Sequence, residues 1–194
     1  PTLLLSQSSR PAAKPAPGHR PAAAVPAKHV TVSCRGYATL TPSGTVFPRA
    51  AKPDTATFVD PTVHRTQPQL VKLGCRTYLA PFVALDPQGA PISIGHASNL
   101  QDNVTVSGRI TIGDRVSIAH GATLIGPTVI GATDGLPAFV GFNSVVEGAT
   151  VEPDAMVTHL VKVSPGIVIR AGTKVLPGKW IRTQAEADSL SLGK

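Results

Sequence analysis

From Leu73 onward, aliphatic side chains recur at every sixth residue: Leu73, Leu79 and Leu85, then Ile94, Leu100, Val106, Ile112, Ile118, Leu124 and Ile130. The stretch ATDGLPAF interrupts the count before Val140 and Val146, and after a single step of five a last series runs through Val151, Val157, Val163, Ile169 and Val175. A six-residue aliphatic repeat predicts a parallel β-helix, in which each repeat is one flat face and three faces close a coil. Each inward side chain then stacks on its counterpart about 18 residues on, burying a continuous apolar column. A sandwich or a helical solenoid would not hold this period. Glycine follows the aliphatic residue in Ile94-Gly95, Ile112-Gly113, Ile130-Gly131 and Val140-Gly141, and these glycines are expected at corners that need φ > 0.

The composition agrees with short strands and turns: aromatics are 4% of the chain, while it holds 18 Gly and 19 Pro. The formal net charge of +7 is concentrated at one end. Residues 1–53 carry seven basic residues (Arg10, Lys14, Arg20, Lys28, Arg35, Arg49, Lys52) and no acid, which leaves 11 Lys and Arg to balance all 11 Asp and Glu in the rest. The first 30 residues are rich in Pro and Ala and too poor in large apolar groups to build a core, so they are expected to be extended. The expected organisation is a basic arm and lead-in over 1–57, the β-helix over 58–181, and a C-terminal helix and tail over 182–194. The seven charges are spread out, with no cluster and no interleaved aromatics, so nucleic acid is not the expected partner. An arm of this kind is expected to lie along a neighbouring protein subunit, where an extended segment covers a large surface.

No apolar run approaches the roughly 18 residues needed to cross a membrane, so no transmembrane helix is expected. The only methionine is Met156 and the chain opens on Pro1. Removal of a preceding segment is therefore expected, and the acid-poor, Arg- and Ser-containing start favours an organelle, chloroplast or mitochondrion, with a bacterial location as the alternative. Cys34 and Cys75 match no metal spacing and are read as two unrelated thiols, with a disulfide tying the arm to the domain as the alternative. At the far end, Thr183-Gln184-Ala185-Glu186 fits a capping box that opens a short helix of about ten residues, which needs packing on the β-helix to persist.

The segments NLQDNVTVSG (99–108), IGDRVSIAHGATLIGP (112–127), VGFNSVVEGATVEPDAMV (140–157) and PGKWIRTQAEADSL (177–190) resemble the γ-class carbonic anhydrases. They are most similar to the branch that holds the archaeal enzyme and the β-helical domain of the carboxysome scaffold protein. The resemblance covers roughly residues 58–192 and implies an all-β fold, a left-handed parallel β-helix of hexapeptide repeats with a short C-terminal α-helix behind the extended N-terminal arm. It also implies trimers, homo- or heteromeric, with active sites between subunits and zinc held by three histidines.

Carried over position by position, those three histidines fall on Ser107, His120 and Ile125. Two of the three ligands are therefore replaced. Ser107 and Ile125 are one coil apart and should stack where the family's two same-chain ligands sit, with His120 facing the adjacent subunit. A neutral hydroxyl is a poor zinc ligand, isoleucine offers no lone pair, and a lone imidazole would not retain the metal. The acidic loop that follows the first ligand in the family is missing, since Gly108 runs directly into Arg109. The family's Arg and Asp near the preceding coil fall at about Leu85 and Pro87. Asn99, Gln101 and Asp102 match the family's polar residues and are read mainly as corner and trimer contacts.

No catalytic residue and no cofactor are expected on this reading. The expected function is a non-catalytic structural or assembly subunit of a larger bioenergetic or carbon-concentrating complex, by analogy with the non-catalytic relatives in respiratory complex I of plants, algae and protists. One alternative is a zinc carbonic anhydrase in a heterotrimer, with partner chains supplying two histidines and this chain His120. The other is a hexapeptide acyltransferase with His120 as general base. His64, His96 and His159 share no spacing of 18 with one another or with His120, and so are expected to form no replacement site.

Overall fold

The computed structural model describes residues 57–131 and 136–192, so the arm and the middle of the ATDGLPAF insertion lie outside the described residues. Twenty short strands wind through a left-handed coil of about seven turns. The first turn holds β1 (Phe58–Val59), β2 (His64–Arg65) and β3 (Val71–Leu73); the second β4 (Tyr78–Leu79), β5 (Ala84–Asp86) and β6 (Ile92–Ile94). The third holds β7 (Asn99–Leu100), β8 (Thr105–Ser107) and β9 (Ile110–Ile112); the fourth β10 (Ser117–Ile118), β11 (Thr123–Ile125) and β12 (Thr128–Ile130). The fifth holds β13 (Phe139–Val140), β14 (Val145–Glu147) and β15 (Thr150–Val151). The sixth holds β16 (Met156–Val157), β17 (Lys162–Val163) and β18 (Val168–Ile169), and β19 (Lys174–Val175) and β20 (Trp180–Ile181) close the series.

Every strand pairs in parallel with the strands one turn away, which builds three sheets. The first runs from β1 through β4, β7, β10, β13 and β16 to β19; the second from β2 through β5, β8, β11, β14 and β17 to β20; the third from β3 to β18. The six-residue aliphatic series is the register of these sheets: Leu100 pairs with Ile118, Val106 with Leu124, and Ile112 with Ile130. All six are 2% exposed or less. Burying such a side chain is worth roughly 1.5–3 kcal/mol, so the stacked column supplies most of the drive for coiling. Buried corner hydroxyls do the polar work beside it. Ser98 Oγ donates to Gly113 O (2.7 Å) and accepts from Val116 N (2.9 Å), and Ser144 Oγ makes the equivalent pair with Thr158 O and Val161 N.

The corner glycines serve a different purpose from the one their spacing suggests. Of the four that follow an aliphatic residue, only Gly131 has a positive φ. A Cβ on Gly95 would lie 2.5 Å from Gly113 C and 2.5 Å from Asp114 Oδ1, and one on Gly141 would lie 2.5 Å from Thr158 C. Backbones of successive turns touch there, and only hydrogen fits between them. The left-handed corner positions fall instead on Ala97, Asn103, Arg115, Asn143 and Leu160, among others.

The third sheet has one strand fewer than the other two, and helix α1 (Gln184–Asp188) stands in its place. The Gln184 side chain accepts from Val168 N (2.8 Å) and donates to Val168 O (2.9 Å), which pairs an edge strand that would otherwise be open. The capping box forms as the sequence implies: Thr183 Oγ1 accepts from Glu186 N, and Glu186 Oε2 accepts from Thr183 N (3.1 Å) and Arg182 N (2.6 Å). Those backbone donors, Arg182 N–H first, hold the Glu186 carboxyl below its usual range. The helix spans five residues rather than about ten, because the chain turns back at Ser189 to bridge Leu192 to Thr173.

Candidate functional site

Two columns of outward side chains bear on the chemistry. The first runs along the far edge of the second sheet, where Asp86, Ser107, Ile125 and Glu147 are successive register partners. Each follows an inward residue (Leu85, Val106, Leu124, Val146) that is fully buried, so the pleat points each of them away from the core. Gly126 N donates to Ser107 O (2.8 Å), fixing Ser107 and Ile125 side by side at the spacing of adjacent strands, about 4.8 Å, and Gly148 N to Ile125 O (2.9 Å) ties in Glu147 on the next turn. Leu85 and Pro87, the positions matched to the family's Arg and Asp, are both buried and present nothing outward. Asp86 between them faces out, since alternation puts its neighbours inside. The Thr66 hydroxyl donates to Asp86 Oδ1 (2.5 Å) and holds that carboxyl below its usual range, with weaker help from Gln88.

The second column stands at the corner between the first and second sheets and reads Asp102, His120, Phe142, His159. Backbone bonds tie it together: Gly121 N to Asp102 O, Asn143 N to His120 O, and Leu160 N to Phe142 O. His120 Nδ1 lies 3.5 Å from Asp102 Oδ2, and both side chains are about half exposed, 53% and 45%. The His120 and Phe142 rings are 5.5 Å apart, and Phe142 stacks on His159 at 4.5 Å. His120 and His159 therefore share a corner two turns apart. The fixed spacing of 18 hides this because the insertion lengthens one turn and the five-residue step shortens the next. Counting corner positions through both irregularities would have found the pair.

Of the remaining matched residues, Asn99 faces outward on β7 and accepts from Ser117 Oγ (2.9 Å), while Gln101 Oε1 is buried with no hydrogen-bond partner among the described residues. His64 sits on β2, in register with Ala84. His96 Nδ1 accepts from Cys75 N (3.0 Å), and His96 N donates to Asp114 Oδ1 (2.7 Å). Cys75 is 1% exposed and disulfide-bonded, which corrects the reading of two unrelated thiols; Cys34, the other cysteine of the chain, lies outside the described residues.

These donors do not fit a catalytic zinc. Ser107 offers a neutral hydroxyl and Ile125 offers no donor, which leaves His120 as the single imidazole of the three matched positions. Among the described residues no group of three or more His, Cys, Asp or Glu is placed to hold a metal ion.

No protein-family profile matches the chain. The carbonic anhydrase of Methanosarcina thermophila is 28% identical over 166 residues, 70% of this chain and 64% of that enzyme. The carboxysome assembly protein CcmM of Synechococcus elongatus is 32% identical over 117 residues, and CcmM of a Nostoc species 27% over 135. The chain spans about two thirds of the archaeal enzyme but only 21% and 23% of the two CcmM proteins. Among solved structures, a hexapeptide transferase family protein from Anaplasma phagocytophilum superposes with a TM-score of 0.41 over 70% of this chain and 89% of that chain, at 20% identity. The sequence relatives and the repeat together support a γ-carbonic-anhydrase-like, hexapeptide-repeat, left-handed β-helix family for this chain.

Proposed function

We propose that this chain is a non-catalytic γ-carbonic-anhydrase-like subunit that acts as a structural or assembly element of a larger bioenergetic or carbon-concentrating complex. The observation that carries the reading is the register pair Ser107 and Ile125: two adjacent outward positions that match the family's same-chain ligands hold no imidazole. A catalytic zinc is held by three protein ligands and keeps a fourth position for water, and one of the two substitutions replaces a donor with a methyl-bearing hydrocarbon. The relation to CcmM, named as an assembly protein, supports a scaffold role.

The trimer is part of the same proposal. Phe82 (62% exposed), Phe142 (42%) and Leu160 (64%) line the corner that carries His120, an apolar strip suited to a subunit contact. Residues 1–53, basic and free of acids, are the proposed docking arm for other protein subunits, and an organelle is the proposed location.

A second reading is favoured by one observation: the third matched position keeps its imidazole, His120, about half exposed beside Asp102. In a heterotrimer, partner chains with two histidines could complete a zinc site with it. The metal-to-chain ratio of the native assembly, measured by elemental analysis alongside carbon dioxide hydration, separates the two. Absence of both zinc and activity is expected; stoichiometric zinc with activity would overturn the non-catalytic reading.

A further inference from the structure

The corner between the third and first sheets is the one corner that neither outward column occupies, so the subunit contact proposed above leaves it uncovered. It is also where the described chain begins. Thr57 Oγ1 donates to Gly74 O (2.9 Å), which pins the entry of the coil against the turn that carries Cys75. Thr77 Oγ1 donates to the same carbonyl (2.7 Å) and to Gly95 O (3.1 Å), so this corner is tied to the next turn as well. Cys75 is buried there and disulfide-bonded, and Cys34 is the only other cysteine of the chain. A bond between the two brings the arm back to the corner at which Thr57 enters. Residues 35–56 are then held at both ends in one place, and only residues 1–33 remain a free arm.

His96, one turn on at the same corner, equips Cys75 for the reduced state. Its Nδ1 accepts from Cys75 N (3.0 Å) and lies 3.2 Å from Cys75 Sγ. Its own backbone is fixed in turn, since His96 N donates to Asp114 Oδ1 (2.7 Å) on the following turn. An imidazole nitrogen at that distance is an acceptor already in place for a thiol proton. When the disulfide is cleaved, the Cys75 thiol is satisfied without rearrangement of the corner, and its sulfur stays where the bond can form again.

We infer that a disulfide between Cys34 and Cys75 is a redox latch, whichever assembly the arm serves. Oxidised, it holds residues 35–56 as a closed loop on this corner; reduced by a dithiol, it releases them and lengthens the free arm from residues 1–33 to 1–56. Cys75 is only 1% exposed, so a thiolate of the dithiol attacks the Cys34 sulfur, and the electron pair of the S–S bond leaves on Cys75 Sγ. The second thiolate of the dithiol then displaces Cys34. The dithiol ends as a disulfide, its two electrons pass to the protein pair, and each cysteine takes up one proton.

Trypsin applied to the native full chain reads the latch at Arg49, inside the loop. Without reductant, cleavage there is expected to be slow and to leave the peptide that carries Cys34 attached to the β-helix. With dithiothreitol, and with the circular dichroism spectrum unchanged, that peptide should be released and cleavage at Arg49 should accelerate by up to about 100-fold, the closure entropy of a loop this long. Cys34→Ser removes the bond without touching the buried Cys75, and it should be cleaved at the reduced rate with or without reductant. Equal rates at Arg49 in the oxidised and reduced chains would overturn the latch. So would release of the Cys34 peptide without reductant, a dithiothreitol-sensitive dimer in place of a bond within one chain, or reduction only after the β-helix has unfolded.

Discussion

Replacing Gly95 with alanine separates close approach from conformational freedom as the reason for a corner glycine. The added methyl would sit 2.5 Å from Gly113 C and O, backbone atoms that cannot swing aside, and 2.5 Å from Asp114 Oδ1. Ordinary contact begins at 3.4 Å, so two turns must part locally by about 1 Å. That movement stretches Gly95 N to Ile112 O (2.8 Å) and His96 N to Asp114 Oδ1 (2.7 Å). Losing much of two hydrogen bonds costs about 2 kcal/mol and overpacking adds about 1–3, so the variant should be destabilised by about 3–5 kcal/mol. Gly166→Ala is the control: its φ is +78° but nothing lies within 4 Å of the added methyl, so only backbone strain of about 1–2 kcal/mol applies, partly offset by a stiffer unfolded chain. Urea unfolding followed by circular dichroism measures both. If Gly95→Ala costs no more than Gly166→Ala, the close-approach argument is wrong and the corner is softer than the geometry states.

Three other outcomes are expected. The variant Ser107→His/Ile125→His places two imidazoles on adjacent strands and should raise bound zinc from a trace towards about one per chain by elemental analysis, while either single variant should not; no gain in the double variant would mean that the register pair does not occupy the family's ligand positions. Thr183→Ala removes the side-chain acceptor for Glu186 N and should cost about 1 kcal/mol, with faster hydrogen exchange at Val168 N as α1 loosens; unchanged exchange there would show that the helix does not close the third sheet. Cys75 should resist alkylation in the native and the denatured unreduced chain and react after reduction, as read by peptide mass; labelling without reductant would refute its disulfide.

The fold was legible because its determinant is periodic and inward. Ile112, Ile118, Leu124 and Ile130 are visible as a spacing, and the same spacing is the register of the sheets. The capping box at Thr183 was legible for a similar reason: four consecutive residues suffice to define it. What the sequence concealed depends on distances between turns. Gly95 looks like a turn glycine until Gly113 is seen against it, and His159 looks unrelated to His120 until the insertion and the five-residue step are followed through the corner. Asp86 was passed over for Leu85 and Pro87 because an alignment carries no inward or outward direction, whereas the pleat assigns one to every residue.

That same division between inward and outward positions explains how a chain can lose ligands and keep its fold. Ser107 and Ile125 sit one residue past Val106 and Leu124, and only the latter pair is in the core. Substitution at the outward positions leaves the apolar column, the corner hydroxyls and the glycine contacts untouched, so selection for stability does not resist it. The Asp102 and His120 pair is outward as well, yet it stands on the corner where Phe82, Phe142 and Leu160 are exposed. A polar group kept among apolar neighbours on an accessible edge fits a surface that another chain covers, and it requires no catalytic role. On the proposed assembly, change on the sheet edge and an intact corner follow from one cause, contact with a neighbouring subunit at the corner.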